Sequence, residues 1–116
     1  MLLRVDHTIA ADTADITAHG EIDLATVNTL RTAITDALAA GARHLVLHLD
    51  GVTYLDSSGL GTLIGAHKRV ASAGGTMTVR CSRPRILRLF AITGLDRVLT
   101  VTGSEEQADL TEATPA

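Results

Sequence analysis

The segment His44-Leu45-Val46-Leu47-His48-Leu49-Asp50 decides the fold, because it is apolar at nearly every central position. This composition is typical of a strand that is buried on both faces of a sheet. A turn is predicted over residues 51–56, and apolar residues then recur at helical spacing over residues 57–73. A buried strand followed by a helix indicates a domain in which helices pack on a sheet.

Two short strands and a helix are predicted before this segment. Weak alternation of apolar residues predicts the strands over residues 2–9 and 15–20. The spacing then becomes helical, and Asp23 occupies the position of an N-cap, whose carboxylate would accept from the free amides of the first turn. Gly41 is predicted to end this helix. The apolar stripe of the helix comprises Leu24, Val27, Leu30, Ile34 and Leu38.

Strands and helices continue to alternate toward the C-terminus. Thr76–Arg80 is rich in Thr and Val, which favour strands. Ser82-Arg83-Pro84 is typical of a helix start, because proline has no amide to leave unpaired in the first turn. That helix is predicted to end at Gly94, and a last strand is predicted over residues 98–102. Ser104-Glu105-Glu106-Gln107 has the spacing of a capping box, which opens a further helix.

The predicted order of elements is therefore ββαβαβαβα, in a single α/β domain. We expect a mixed sheet of four to five strands covered by about four helices, with no linker and no internal repeat. The 116 residues suffice for one hydrophobic core but not for two. We expect the domain to span residues 1–112, and residues 113–116 to form a disordered tail.

Composition and charge argue against several classes of function. One Tyr, one Phe and no Trp provide few platforms on which nucleic-acid bases could stack. The net charge of -3 and the pI of about 5.9 do not favour DNA binding. No apolar run approaches the roughly 20 residues that cross a bilayer, and the N-terminus does not resemble a signal peptide. Because Cys81 is the single cysteine, no internal disulfide can form, and we expect a soluble cytoplasmic protein.

The histidines do not form a recognisable metal-binding motif. His44 and His48 have the i, i+4 spacing of a helical ligand pair, but on a strand they would lie about 13 Å apart, too far to share one ion. The other three, His7, His19 and His67, are isolated in sequence. We interpret all five as surface or hydrogen-bonded histidines.

Enzyme and DNA-reader motifs are incomplete. The corner at Ser57 lacks the glycine two residues earlier that a hydrolase elbow carries. Gly59, Gly61 and Gly65 lack the spacing of a dinucleotide site and the Lys-Ser/Thr end of a P-loop. Lys68-Arg69 at the end of the second predicted helix would suit a helix-turn-helix protein that binds DNA, but the pair is more simply a solvated helix end. We expect no enzymatic activity, no metal and no cofactor, although residues distant in sequence can meet in a fold.

The informative segment is Asp56-Ser57-Ser58-Gly59-Leu60-Gly61, at the predicted start of the second helix. Helix N-termini present unpaired amides and a partial positive charge, so they favour anions, including a phosphate ester. Gly59 and Gly61 leave the first turn without side chains and would let a partner approach the backbone. An N-cap at Asp56, Ser57 or Ser58 would explain one polar residue, but not three followed by two glycines. We interpret the corner as an exposed contact surface with a modifiable hydroxyl.

Three motifs in this order resemble those of STAS domains, in particular the bacterial anti-sigma factor antagonists. The motifs are Gly20-Glu21-Ile22-Asp23, Leu55-Asp56-Ser57-Ser58-Gly59-Leu60-Gly61, and Ser82-Arg83-Pro84-Arg85-Ile86-Leu87-Arg88-Leu89-Phe90 with Gly94-Leu95. The resemblance covers essentially the whole chain. Ile22 and Leu55 are conservative departures from the Leu and Met of the family.

The resemblance implies a protein that switches partners. In its unmodified form it would bind an anti-sigma factor that is also a serine kinase, and so free a sigma factor. The kinase would use ATP to phosphorylate the first serine of the pair, here Ser57, and a PP2C-type phosphatase would restore binding. The resemblance also implies a docking surface near Ser57 that comprises Glu21, Asp23, Asp56, Ser58, Gly59, Gly61 and Thr62.

The sequence leaves one alternative of another class open. A STAS subunit of a transporter or of a stress-sensing complex would bind its partners constitutively, and such modules often lack a serine at the acceptor position. Ser57 beside Asp56 favours the switch. The sequence identifies neither the cognate sigma factor nor the oligomeric state, a monomer or a weak dimer.

Overall fold

A computed structural model of the chain describes residues 2–103. Its elements are β1 Leu3–Ala10, β2 Thr13–Ile22, α1 Val27–Ala39, β3 His44–Leu55, α2 Ser57–Ser72, β4 Thr76–Arg80, α3 Pro84–Thr93, a 3₁₀ turn Leu95–Arg97, and β5 Thr100–Thr102. This order confirms the predicted alternation up to the fifth strand. The predicted helix from Ser104 and the predicted tail, residues 113–116, lie outside the described residues.

The five strands form one mixed sheet in the order β1-β2-β3-β4-β5. β1 pairs with β2 in antiparallel fashion, and the other three pairs are parallel. The parallel strands are joined through α1, α2 and α3, so each helix returns the chain to the same end of the sheet. The predicted mixed α/β sheet is therefore confirmed.

Only one face of β3 is fully buried, so the prediction of a strand buried on both faces is wrong. Leu45, Leu47 and Leu49 belong to a core cluster that includes residues of α1, α2 and α3. The alternate residues are half-buried, among them both histidines of the strand. His48 Nε2 lies 2.9 Å from Asp15 Oδ1, and His44 Nδ1 lies 2.8 Å from Thr76 Oγ1. The second face therefore carries hydrogen-bonded polar side chains.

The first helix begins later than predicted. Asp23 does not cap it, because the Asp23 Oδ1 atom accepts from the amides of Ala25 and Thr26, both 3.0 Å away, in the turn before the helix. Leu24, predicted to lie on the apolar stripe, is 78% exposed in this turn. The predicted end at Gly41 is confirmed: its φ of 103° is left-handed, and the amide of Ala42 donates to the Ala37 carbonyl at 3.1 Å.

The third strand continues to Leu55, so the predicted turn over residues 51–56 is wrong. β2 extends to Ile22 and supplies partners for the additional residues, with Gly20 opposite Val52 and Ile22 opposite Leu55. Two register irregularities accompany this extension. As a consequence, Asp56 and the start of α2 lie directly at the end of the sheet, beside the end of β2. Among the described helices, none is long and apolar enough to cross a membrane.

Candidate functional site

Asp56 is the N-cap of α2. Its backbone is extended, and its Oδ1 atom accepts from the amides of Ser58 at 2.9 Å and Gly59 at 3.2 Å. The backbone amide of Asp56 donates to the carbonyl of Ile22 at 3.2 Å, which fixes the corner to the end of β2. Of the three polar residues that the sequence offered as caps, Asp56 therefore takes this role, and both serines lie inside the helix.

Ser57 is the first residue of α2 and is exposed. Within the described part of the chain its hydroxyl has no hydrogen-bond partner. Ser58 is half-buried, and its carbonyl accepts from the Thr62 hydroxyl at 3.0 Å. Neither serine hydroxyl has a hydrogen-bond partner among the described residues, so the two serines differ in exposure: Ser57 is exposed to solvent, and Ser58 is half-buried.

The two glycines of the first turns lie in different environments. Gly61 is exposed, and a Cβ atom added there would meet nothing within 4 Å. Gly59 is buried, and an added Cβ would lie 2.3 Å from Leu55 Cδ1 and 2.8 Å from Ile22 Cγ2. The interpretation that both glycines bare the backbone for a partner is therefore wrong for Gly59, which lets α2 pack closely on the sheet. Gly61 does leave the surface open.

Three carboxylates lie around the N-terminus of α2, and the strand register accounts for their proximity. Glu21 is opposite Tyr54 across β2 and β3, and Asp23 and Asp56 follow the paired residues that end these strands. All three acidic residues are half-buried. The structure thus places at one end of the sheet the three acidic residues that the family resemblance implied for a docking surface.

Thr62 is only 8% exposed, so it offers a partner little contact area. Its hydroxyl accepts from Arg31 Nη2 at 3.1 Å, and the Nη1 atom of the same arginine donates to Asn28 Oδ1 at 2.7 Å. Thr62 therefore ties α2 to α1 through Arg31. The sequence gave no signal for Arg31, because its partner lies 31 residues further along the chain.

Two exposed apolar side chains lie near the acidic residues and were missed as site candidates. Leu24 follows Asp23 and is 78% exposed, and Tyr54 is 50% exposed two residues before Asp56. Exposed large apolar side chains that cluster are typical of protein-binding surfaces. A usable signal was that Tyr54 is the single tyrosine of the chain and directly precedes the motif.

The described residues offer little for metal or nucleophilic chemistry. Among them, no group of three His, Cys, Asp or Glu side chains could hold a metal ion. No histidine of residues 2–103 hydrogen-bonds to the Ser57 hydroxyl. Cys81 is buried, and loss of solvation raises the pKa of its thiol, which disfavours the reactive thiolate.

Two substitutions of Asp56 distinguish the effect of its helix cap from the effect of its negative charge. Asp56→Ala removes the acceptor of two helix amides and should lower the free energy of unfolding by about 1 kcal/mol. Asp56→Asn keeps an acceptor at the cap. Its free energy of unfolding should lie within roughly a few tenths of a kcal/mol of that of the parent protein. Urea denaturation of the three proteins measures both effects. Equal losses in the two variants would contradict the capping role.

Comparison with known proteins agrees with this architecture. The STAS domain family matches residues 4–108. The anti-sigma-B factor antagonist of Bacillus subtilis is 32% identical over 106 residues, which cover 91% of this chain and 96% of the relative. The solved anti-sigma factor antagonist of Mycobacterium paratuberculosis is 26% identical, with a TM-score of 0.79 and coverage of 87% of this chain and 86% of that one. The Bacillus cell fate determinant SpoIIAA, solved in its phosphorylated form, has the same fold at 20% identity, with a TM-score of 0.68 and coverage of 96% and 100%. The chain belongs to the STAS domain family.

Proposed function

We propose that this protein is an anti-sigma factor antagonist controlled by phosphorylation of Ser57. The unphosphorylated form binds an anti-sigma factor that is also a serine kinase, and so releases a sigma factor. Phosphorylation of Ser57 abolishes this binding, and a PP2C-type phosphatase restores it. The protein then acts in the cytoplasm as a regulatory binding protein and as the substrate of a kinase. A relative named as an anti-sigma-B factor antagonist, matched over 96% of its length, supports this assignment.

The observation that carries the proposal is the free, exposed hydroxyl of Ser57 at the first position of α2. A kinase must bring the acceptor oxygen into line with the γ-phosphate of ATP, which a buried or hydrogen-bonded hydroxyl would resist. The positive end of the α2 dipole also favours the phosphate once it is attached. SpoIIAA, solved in its phosphorylated form, indicates that the fold itself accommodates a phosphate.

The surroundings of Ser57 suit a contact that a charge can break. Leu24 and Tyr54 expose apolar surface, and Gly61 leaves the next turn of α2 open to a close approach. A protein interface built on such residues excludes water from the polar groups within it. A phosphate on Ser57 would place a dianion in that interface, next to the carboxylate of Asp56, where its desolvation and repulsion oppose binding.

The proposal is tested by incubating the protein with its cognate anti-sigma factor and ATP and mapping the phosphate by mass spectrometry. We expect a single phosphate on Ser57 and none on the Ser57→Ala variant. That variant should still bind the anti-sigma factor, and ATP should not reverse this binding. Ser72→Ala is the matched control, because Ser72 is an exposed serine at the opposite end of the same helix. Its phosphorylation should equal that of the parent.

Two results would overturn the proposal. The first is phosphate incorporation that persists in the Ser57→Ala variant. The second is the lack of any phosphate on Ser57 together with partner binding that Ser57→Asp leaves unchanged, which would favour the constitutive scaffold subunit.

A further inference from the structure

A cleft runs between the end of β3 and the first turns of α3, close to the α2 N-terminus. It consists of two adjoining cavities of about 360 and 250 Å³, which share Arg85 and Ile86 as lining residues. Val52 and Thr53 line the first cavity, and Tyr54 lines the second. Because Asp56 caps α2 two residues after Tyr54, the cleft opens beside the proposed phosphorylation site.

The lining of the cleft includes two arginines, Arg83 and Arg85. Three exposed arginines lie on or directly before α3, namely Arg83, Arg85 and Arg88. Arg83 Nε donates to the Asp50 carbonyl at 2.6 Å, whereas Arg85 and Arg88 have no hydrogen bond or ion pair with any residue of 2–103. Neither cavity is lined by a carboxylate of the described residues. The guanidinium group of Arg85 inside the cleft, and that of Arg88 about one helical turn further along α3 and outside the two cavities, are therefore available to carboxylates of another molecule.

Apolar side chains lie near Arg85. Leu89 is half-buried and lines the second cavity, one helical turn after Arg85. Ile92, a further turn along the same face of α3, is 74% exposed, and Tyr54 on the opposite wall is 50% exposed. The cleft therefore fits a ligand that has both acidic and apolar side chains.

The strand side of the cleft has room for an extended segment. β4 pairs with β3 only from His44 to His48, although β3 continues to Leu55. The segment that follows β4 covers β3 as far as Asp50, whose carbonyl accepts from Arg83. From Val52 to Leu55, none of the described strands covers the side of β3 that faces α3, while β2 pairs with the other side up to Leu55. An unpaired strand edge next to side-chain pockets is the arrangement to which extended peptides bind by strand addition.

We propose that this cleft binds an extended, acidic segment of the same protein partner that contacts Ser57, with carboxylates on Arg85 and Arg88 and an apolar side chain against Tyr54 and Leu89. This inference rests on the proposed function for the identity of the partner, but its chemistry follows from the cleft alone. The acidic segment of the partner would then lie over α3, next to the surface that contacts Ser57. That arrangement fixes the orientation in which the partner docks.

The first experiment measures affinity for the cognate anti-sigma factor by titration calorimetry at several salt concentrations. The double variant Arg85→Glu/Arg88→Glu should bind about tenfold or more weakly and should show a smaller salt dependence. Lys68→Glu is the matched control, because it reverses an exposed cation at the far end of α2 and should change affinity by less than about twofold. Thermal unfolding of each variant verifies that the fold is retained. Equal affinities of the double variant and the parent would overturn the proposal.

The second experiment does not depend on the anti-sigma partner. A short synthetic peptide of alternating glutamate and valine is titrated into the ¹⁵N-labelled protein, and amide shifts are followed by NMR. We expect shifts in Val52–Leu55 and Arg85–Leu89 that the double variant loses and that an alternating lysine–valine peptide does not produce. If the protein shows these shifts but is not phosphorylated in the presence of ATP, the proposed function is refuted and the binding of a peptide in the cleft is not.

Three outcomes would refute the proposal that the cleft binds an acidic segment. They are the lack of any peptide-induced shift, shifts confined to amides around Arg31 and Thr62 where α1 meets α2, and stronger shifts of the cleft amides with single-stranded oligo(dT). The last outcome would indicate that the arginines bind nucleic acid.

Discussion

Complete phosphorylation of Ser57 should lower the affinity of the protein for its anti-sigma partner about a hundredfold, which corresponds to about 2.8 kcal/mol of binding free energy. The phosphate adds about 1.5 to 2 negative charges at pH 7. It does so at an exposed position next to Asp56, in a region that already contains Glu21 and Asp23. Repulsion and the loss of phosphate solvation in the closed interface would each contribute about 1–3 kcal/mol, so either is sufficient in order of magnitude.

The same modification should leave the fold intact. Ser57 lies at the positive end of the α2 dipole, and its hydroxyl contributes no hydrogen bond to the described part of the structure. A negative group at that position stabilises a helix slightly, by about 0.3–1 kcal/mol at low salt. The free energy of unfolding of the phosphorylated protein should therefore equal or slightly exceed that of the parent. Calorimetric titration measures the binding, and urea denaturation measures the stability.

Matched variants separate charge from position. Ser57→Glu carries one charge instead of nearly two, so it should weaken binding less than the phosphate does. Ser72→Glu places the same charge on an exposed position at the other end of α2 and should leave binding unchanged. A loss of stability on phosphorylation that matches the loss of affinity would show that the switch acts on the fold instead of the interface.

The order of elements could be predicted because its signals are local. The mostly apolar run over residues 45–49 lies within one strand, and the helical spacing that begins at Ser57 continues without interruption. The positions of Asp56 and Ser57 followed from the same local boundary. The exact cap did not, because the choice among adjacent polar residues depends on which side chain reaches the amides of Ser58 and Gly59.

The end of β3 could not be predicted, because it depends on another strand. Residues 51–55 include a glycine and a threonine and resemble a turn in isolation. They are held extended by β2, whose own last residues were also omitted from the predicted strand. The non-local pairing also creates the unpaired edge of β3 that faces α3, so the arginine-lined cleft could not be inferred from sequence spacing.

Leu24 illustrates a different failure. Its spacing from Val27 fits a helical stripe, but the chain between them forms a turn in which the Asp23 carboxylate accepts from Ala25 and Thr26. Periodicity reports which residues would share a face if the helix extended that far, and it does not report where the helix begins. The exposure of Leu24 therefore became visible only in the structure.

Gly59 and Gly61 are equivalent in the sequence pattern, and their alanine variants should have opposite effects on stability. Gly61→Ala should raise the free energy of unfolding by up to about 1 kcal/mol, because the added methyl group meets open space and alanine favours the helix over glycine. Gly59→Ala gains the same propensity, but its methyl group overlaps the buried side chains of Leu55 and Ile22. Overpacking of this kind costs about 1–3 kcal/mol.

The difference between the two variants isolates the packing of α2 on the sheet, because the helix-propensity gain is common to both. Urea denaturation should find Gly59→Ala less stable than Gly61→Ala by about 1–3 kcal/mol. If the two alanine variants were equally stable, the first turn of α2 would not be pressed against Leu55 and Ile22 as the structure has it. The rigid placement of Ser57 at the end of the sheet depends on that contact together with the hydrogen bond from the Asp56 amide to the Ile22 carbonyl.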